Sequence, residues 1–240
     1  MGWWLKHPIW WGSVVGLLGT GLGGLLGALW GAPRPRRLAG LMNGVAGLMI
    51  AVSCFDLLPE AYGISAPWGL AGLALGVLAM LGADLLTRRR VRGGRMAQAG
   101  LLVGLGIALH NLPEGLAIGS GFADTPALGL TLGVLIALHD VPEGLALAVP
   151  LRASGMRMGR VMALALASGL PTGLGAALGV AAGGVSRQMI ALCLGLAGGA
   201  MLQVTAQEMI PGAGALYTGW DANLMLAVGV GVGSLVTLLV

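Results

Sequence analysis

The chain has 240 residues, of which 57% are hydrophobic and only 9% charged, and it carries 45 glycines. Its mean hydropathy is +0.90, whereas soluble domains carry roughly 25% charged residues, so this composition excludes water as the main solvent of the chain. The formal net charge of +4 comes without an aromatic-interleaved basic surface, which argues against nucleic acid as a partner.

A membrane-crossing helix needs roughly 20 mostly apolar residues. Breaks at Pro, Gly and charged positions predict eight such spans, at about 9–31, 38–61, 67–87, 98–120, 126–150, 158–184, 187–212 and 222–240. They fill nearly the whole sequence, so the expectation is an all-α integral membrane protein with residues 1–240 as a single transmembrane domain. The longest connection is an Arg-rich loop at 88–97. The first apolar run is too long for a signal peptide, and Trp3, Trp4, Trp10 and Trp11 read as an interfacial belt. The glycines read as close-packing positions between helices.

Eight spans place the loops alternately on two sides. Arg34, Arg36, Arg37, Arg88, Arg89, Arg90, Arg92, Arg95, Arg152, Arg157 and Arg160 then share one side, and only Lys6 and Arg187 fall on the other. The positive-inside rule makes the first side the cytoplasm, with both termini outside. Basic usage dominated by arginine, with one lysine in a compact chain, points to a bacterial cytoplasmic membrane. Cys54 and Cys193 sit in separate apolar spans and read as small core residues rather than a disulfide or a ligand pair.

The fourth and fifth spans repeat each other. His110-Asn111-Leu112-Pro113-Glu114-Gly115-Leu116-Ala117 aligns with His139-Asp140-Val141-Pro142-Glu143-Gly144-Leu145-Ala146, and the lead-ins Ile107-Ala108-Leu109 and Ile136-Ala137-Leu138 are identical. A His and a Glu four residues apart share one helix face, so each span offers an imidazole beside a carboxylate. Each Pro removes a backbone donor and frees the carbonyl of Leu109 or Leu138, which must find a partner within the membrane. Polar contacts that merely hold two helices together would explain one such His. Here two imidazoles, the Asn111 amide and the carboxylates of Glu114, Asp140 and Glu143 converge without a Lys or Arg in either span core. Buried together, these anions require protonation or a cation, and a metal ion is the natural one. Mixed imidazole and carboxylate ligands suit Zn2+, with Fe2+, Mn2+ and Cd2+ as alternatives.

A weaker echo joins Asp56-Leu57-Leu58-Pro59, ending the second span, to Glu208-Met209-Ile210-Pro211, ending the seventh. In the assigned topology these spans run in opposite directions, as do the fourth and fifth. Inverted repeats of this kind support alternating access around a midplane site. Two unrelated helix-end Pro motifs are the other reading.

The paired segments His110-Asn111-x-Pro113-Glu114-Gly115 and His139-Asp140-x-Pro142-Glu143-Gly144 resemble the metal motifs of ZIP transporters, and the resemblance extends over essentially the whole chain. It implies eight transmembrane helices, with helices 1–3 and 6–8 as inverted repeats around a central 4/5 pair. It also implies transport of a divalent ion, zinc foremost, into the cytoplasm. His110, Glu114 and Glu143 are then expected at a primary site, and Asn111 and Asp140, with the bridging glutamates, at an adjacent one. His139 is expected along the pathway. Ala46-Gly47-Leu48-Met49 resembles a second-span stretch whose Met contacts the metal, although a packing role fits Met49 equally. Asp56 lies seven residues, about 10 Å of helix rise, to the outer side of Met49, where it would collect ions at the mouth. Glu60 reads as either part of that mouth or a solvated helix end. Glu208 resembles an exit-side acidic position, and Gln207 stands where relatives often carry His. The expected partners are the metal ion and the lipid bilayer, with a homodimer as an allowed assembly.

Two departures stand out. Gly169-Leu170-Pro171 occupies the place of a family Glu-Pro, so Leu170 stands where a carboxylate of the second site is expected. The 88–97 loop carries arginines in place of metal-binding histidines. An intramembrane zinc-dependent hydrolase is the alternative of a different class, but the chain has no His-Glu-x-x-His segment and no Ser/His/Asp or Cys/His set. A metal-gated channel or a metal sensor also stays open at this point.

Overall fold

The computed structural model describes residues 8–30, 33–88, 94–181 and 186–238. Trp3, Trp4, Lys6, Arg89, Arg90 and Arg92 lie outside the described residues. Within them every regular element is helical: α1 (Pro8–Trp30), α2 (Pro35–Val52), α3 (Leu58–Arg88), α4 (Gly94–Asp124), α5 (Pro126–Ala153), α6 (Met158–Ala181), α7 (Arg187–Val204), α8 (Ile210–Leu216) and α9 (Trp220–Thr237). Six stretches are long and apolar enough to cross a membrane, and Trp220–Leu235 adds a shorter apolar helix. The chain is a multi-pass, all-helical membrane protein. Leucines that a soluble protein would bury, such as Leu18, Leu22, Leu26 and Leu29 of α1, are exposed along one helix face, as lipid contact requires.

One of the six stretches, Pro35–Thr87, joins two of the spans expected from sequence. Its helix is interrupted at Ser65, where φ is −162° and ψ is 100°. This extended residue breaks the helix two positions before Pro67. The Arg-rich connection is shorter than expected, because α4 begins at Gly94 and Arg95 already lies on a helix.

Two widened, π-helical turns mark the Pro motifs. Ser53–Leu57 joins α2 to α3, and Thr205–Met209 joins α7 to α8. Each begins six residues before its proline, Pro59 or Pro211, and carries its acid, Asp56 or Glu208, three residues before it. Proline cannot donate the i to i−4 hydrogen bond, and a wider turn absorbs the resulting misfit.

Glycine contacts fix the helix directions. On α1, Gly19 meets Asp140, Gly23 meets Val141 and Gly27 meets Ala148, so α1 and α5 run parallel. Gly115 against Thr172 and Gly119 against Ala176 make α4 parallel to α6. Gly72 against Leu192 and Gly76 against Leu196 do the same for α3 and α7, and Gly40 against Met225 and Gly233 against Ala51 for α2 and α9. By contrast α1 crosses α6 antiparallel, Gly12 lying at Ala176 and Gly24 at Ala165. A single non-helical residue, Thr125, separates α4 from α5, and its hydroxyl accepts the Leu128 N–H at 3.2 Å to cap α5. The main apolar core, including Met49, Met80, Ile107, Leu147, Met201 and Met209, lies between these layers.

Candidate metal centre

The tight turn at Thr125 places the two motifs side by side. His110 lies 15 residues before it and His139 lies 14 after it, so the α4–α5 hairpin brings both imidazoles to the same depth, about 20 Å of helix rise from the turn. The motif glycines set the spacing of the helices behind them. A methyl group at Gly115 would collide with the carbonyl oxygen of Thr172 on α6, and one at Gly144 with that of Thr20 on α1. The carboxylate next to each glycine is therefore presented on a helix held at backbone contact with its neighbour.

The geometry brings His110, Glu114 and His139 together, one ligand atom from each lying within 4.8 Å of the others. His110 Nε2 is 2.9 Å from Glu114 Oε1 and 3.6 Å from Glu143 Oε1, and His139 Nε2 contacts the same Glu114 oxygen. The two ring centroids are 5.9 Å apart. Glu143, Asp140 and Asn111 are fully buried and His110 and Glu114 nearly so, while His139 is part-exposed.

Buried polar atoms without a hydrogen-bond partner concentrate here. They include His110 Nδ1, Asn111 Oδ1, Glu114 Oε2, and both carboxylate oxygens of Asp140 and of Glu143. A buried acceptor with no donor costs roughly 1–3 kcal/mol, more when charged, and native proteins rarely leave one. Several within one cluster are the signature of a site made for a cation. No Lys or Arg among the described residues pairs with these carboxylates.

A cavity of about 320 Å3 leads to this cluster, lined by His110, Glu114 and His139 at its depth and by Asp56 and Glu60. Asp56, expected at the mouth, is half-buried and Glu60 exposed, and both line one cavity with the histidines. Met49 is fully buried and absent from that lining. Its sulfur accepts a hydrogen bond from the Thr205 hydroxyl at 3.8 Å, which ties α2 to the second π turn. Gln207 and Glu208 lie apart from the cluster, beside a small recess shared with Met80, Asp84 and Gln203. Asp84, not singled out from the sequence, is buried near the end of α3 and accepts a 2.6 Å hydrogen bond from the Gln98 amide. Its signal was a carboxylate lying inside the third apolar span.

The expectation for Leu170 is corrected. Leu166, Leu170, Leu174 and Leu178 form an outward stripe on α6, with Leu170 51% exposed. The face of α6 that meets the site carries Ser168 and Thr172, both buried. The Asn111 amide donates to the Ser168 carbonyl oxygen at 2.7 Å. Thr172 keeps a buried, unpartnered hydroxyl and packs against Gly16 of α1, one turn from the Gly19 that packs against Asp140.

The family model described as ZIP Zinc transporter matches residues 84–239, well over half of the chain and all of the cluster. The chain belongs to the ZIP family. Among curated relatives, the zinc transporter GufA of Myxococcus xanthus is 45% identical over 120 residues, covering 50% of this chain and 47% of that protein. The zinc transporter ZupT of Salmonella paratyphi A is 33% identical over 112 residues, covering 41% of this chain and 44% of that protein. The matched part thus spans about half the length of these relatives.

Proposed function

We propose that this ZIP-family chain carries a divalent metal ion, zinc foremost, across the bacterial cytoplasmic membrane into the cytoplasm. The observation that carries the reading is the convergence of His110, Glu114 and His139 in the lining of a cavity, backed by the buried carboxylates of Glu143 and Asp140, whose oxygens have no hydrogen-bond partner. The names of GufA and ZupT, both zinc transporters, support the choice of ion. Imidazole nitrogens and carboxylate oxygens suit Zn2+ and admit Fe2+, Mn2+ or Cd2+.

His110, Glu114 and Glu143 form the primary site, and His139 hands the ion to it from the cavity. In the metal-free arrangement Glu114 holds both histidines, and an incoming ion replaces those contacts with coordinate bonds. Asn111 and Asp140, with the same glutamates, form the adjacent second site, where Thr172 replaces Leu170 as the nearest α6 donor. Asp56 gathers ions at the mouth. Glu208 and Gln207 belong to the exit side, and Met49 serves packing.

The layout we infer has eight spans, with helices 1–3 inverted relative to helices 6–8 around the α4–α5 pair. The Ser65 break supports dividing Pro35–Thr87 into two crossings. The matched π turns support pairing the second span with the seventh. Exchanging 1 with 6, 2 with 7, 3 with 8 and 4 with 5 converts the α1–α5 contact into α6–α4, and the α3–α7 contact into α9–α2; all four contacts are extensive and parallel. Arg152 donates to the Ala28 carbonyl oxygen at the end of α1, just before Arg34, which supports placing the arginines on one cytoplasmic side with the termini outside.

Family membership and the missing hydrolytic residue sets weigh against the hydrolase reading. Protein in sealed vesicles holding a zinc-sensitive dye is expected to admit zinc down its gradient. Tight zinc binding without any flux would overturn transport in favour of a sensor.

A further inference from the structure

A second concavity among the described residues lies away from the metal centre. It is a groove of about 590 Å3 where the first turns of α2 and α9 meet the end of α1. Its rim carries Arg34, Arg36 and Arg37, and Trp30 and Trp220 stand beside them, 49% and 78% exposed. Below the rim its walls are Leu41, Leu224 and Met225.

The three guanidiniums are not equivalent. Arg36 donates through Nε to Asp221 at 2.7 Å and lies 5.8 Å over the Tyr217 ring, which pins α2 to α9. Arg152, at the same end, is spent on the carbonyl oxygens of Ala28 and Met156. Arg34 and Arg37 are exposed, and neither guanidinium has a hydrogen bond or ion pair among the described residues. Three cations against the single carboxylate of Asp221 leave two positive charges at the head of an apolar groove.

We propose that this groove binds an anionic phospholipid, its phosphate held by Arg34 and Arg37 and its acyl chains lying along Leu41, Leu224 and Met225. Arg34 and Leu41 are seven residues apart, about 10 Å along the helix, which spans the distance from a headgroup phosphate to the upper acyl chain. The exposed tryptophans fit the headgroup level, where their amphipathic rings are most stable. Basic pockets between membrane helices hold anionic headgroups by this combination. A free phosphate would use the arginines and leave the apolar walls unmatched. A second copy docked symmetrically on this face would set two arginine clusters against each other. The assignment does not depend on the transport reading.

The test uses the full chain in micelles doped with equal amounts of phosphatidylglycerol and phosphatidylcholine, with native mass spectrometry as the readout. Wild type is expected to retain phosphatidylglycerol selectively, and inorganic phosphate is expected not to displace it. The Arg34→Gln, Arg37→Gln double variant is expected to lose that selectivity by about thirtyfold, at about fivefold per guanidinium, and Arg34→Lys with Arg37→Lys to keep most of it. Equal retention of the two lipids by wild type, displacement by inorganic phosphate, or a lipid-free dimer closed over Trp30 and Trp220 would each overturn the proposal. The wild-type arms decide the matter even if the glutamine variant fails to insert.

Discussion

The segments His110–Gly115 and His139–Gly144 carry one six-residue pattern on two antiparallel helices, yet they end in different environments. The first is anchored: His110 is 1% exposed, and the Asn111 amide donates to the Ser168 carbonyl oxygen. The second is looser: His139 is part-exposed where it joins His110 and Glu114 in lining the cavity, and neither buried oxygen of Asp140 has a hydrogen-bond partner. One exchange, Asn for Asp, separates a residue that holds two helices together from one that demands a cation. A repeated motif thus supplies a fixed half and a responsive half of one centre, and the two halves share Glu114.

The largest effect is expected where the halves meet. Glu114→Ala removes the carboxylate that contacts both histidines, and zinc uptake into sealed vesicles should fall by more than about 100-fold, beyond the range typical of partners outside the coordination sphere. His110→Ala and Glu143→Ala should match it with the protein still inserted, whereas His139→Ala should retain measurable uptake. Equal loss in the two histidine variants would erase the distinction between floor and rim.

Exchanging the distinguishing residues comes next. Asn111→Asp breaks the bond to Ser168 and adds a buried charge, so the metal-free protein should lose roughly 1–3 kcal/mol or more of stability. Asp140→Asn replaces a buried carboxyl that has no hydrogen-bond partner with a neutral amide, so it should raise the thermal midpoint without zinc and shrink the further rise that zinc produces. A metal-free midpoint lowered by Asp140→Asn would show that the carboxylate has a structural partner. Smaller and more symmetrical effects are expected at the motif glycines. Gly115→Ala and Gly144→Ala each force a methyl group onto a facing carbonyl, an overpacking cost of about 1–3 kcal/mol. Comparable losses in thermal scans would confirm equivalent roles, and a loss at only one would break the equivalence.

Much of this was legible in the sequence because it rests on local regularities. Apolar runs mark the helices, and the exact echo around His110 and His139 marks the centre, since ionisable residues inside such runs are costly unless functional. What the sequence hid depends on tertiary geometry. The Arg36–Asp221 pair joins residues 185 apart, and no local pattern announces it. The π turns widen the helix and shift the face of the residues that follow, a change that no residue type announces, so Asp56 and Glu208 could be paired by motif but not by shape. Met49 could equally have served packing or coordination, and only its burial against Thr205 favours packing.

Leu170 shows the same limit from the other side and gives the smallest expected effect. Aligning on Pro171 assigns the position before it to the site, but a proline fixes position along a helix axis and not rotation about it. Rotation is set by Gly169 packing against Gly16 and Gly173 against Ser13, which turns Ser168 and Thr172 inward and leaves Leu166, Leu170, Leu174 and Leu178 facing lipid. The four-residue leucine spacing carried that information as a period, the only signal for it in the sequence. Leu170→Ala is therefore expected to change zinc affinity not at all and stability by at most about 0.5 kcal/mol, as for substitutions away from packed features. Thr172→Val keeps the shape and deletes the unpartnered hydroxyl, so it should leave the metal-free fold as stable or more so, while weakening zinc binding a few-fold if that oxygen serves the second site. Isothermal titration with zinc on the two variants checks both statements. A loss at Leu170 with none at Thr172 would mean that α6 presents the opposite face to the ion.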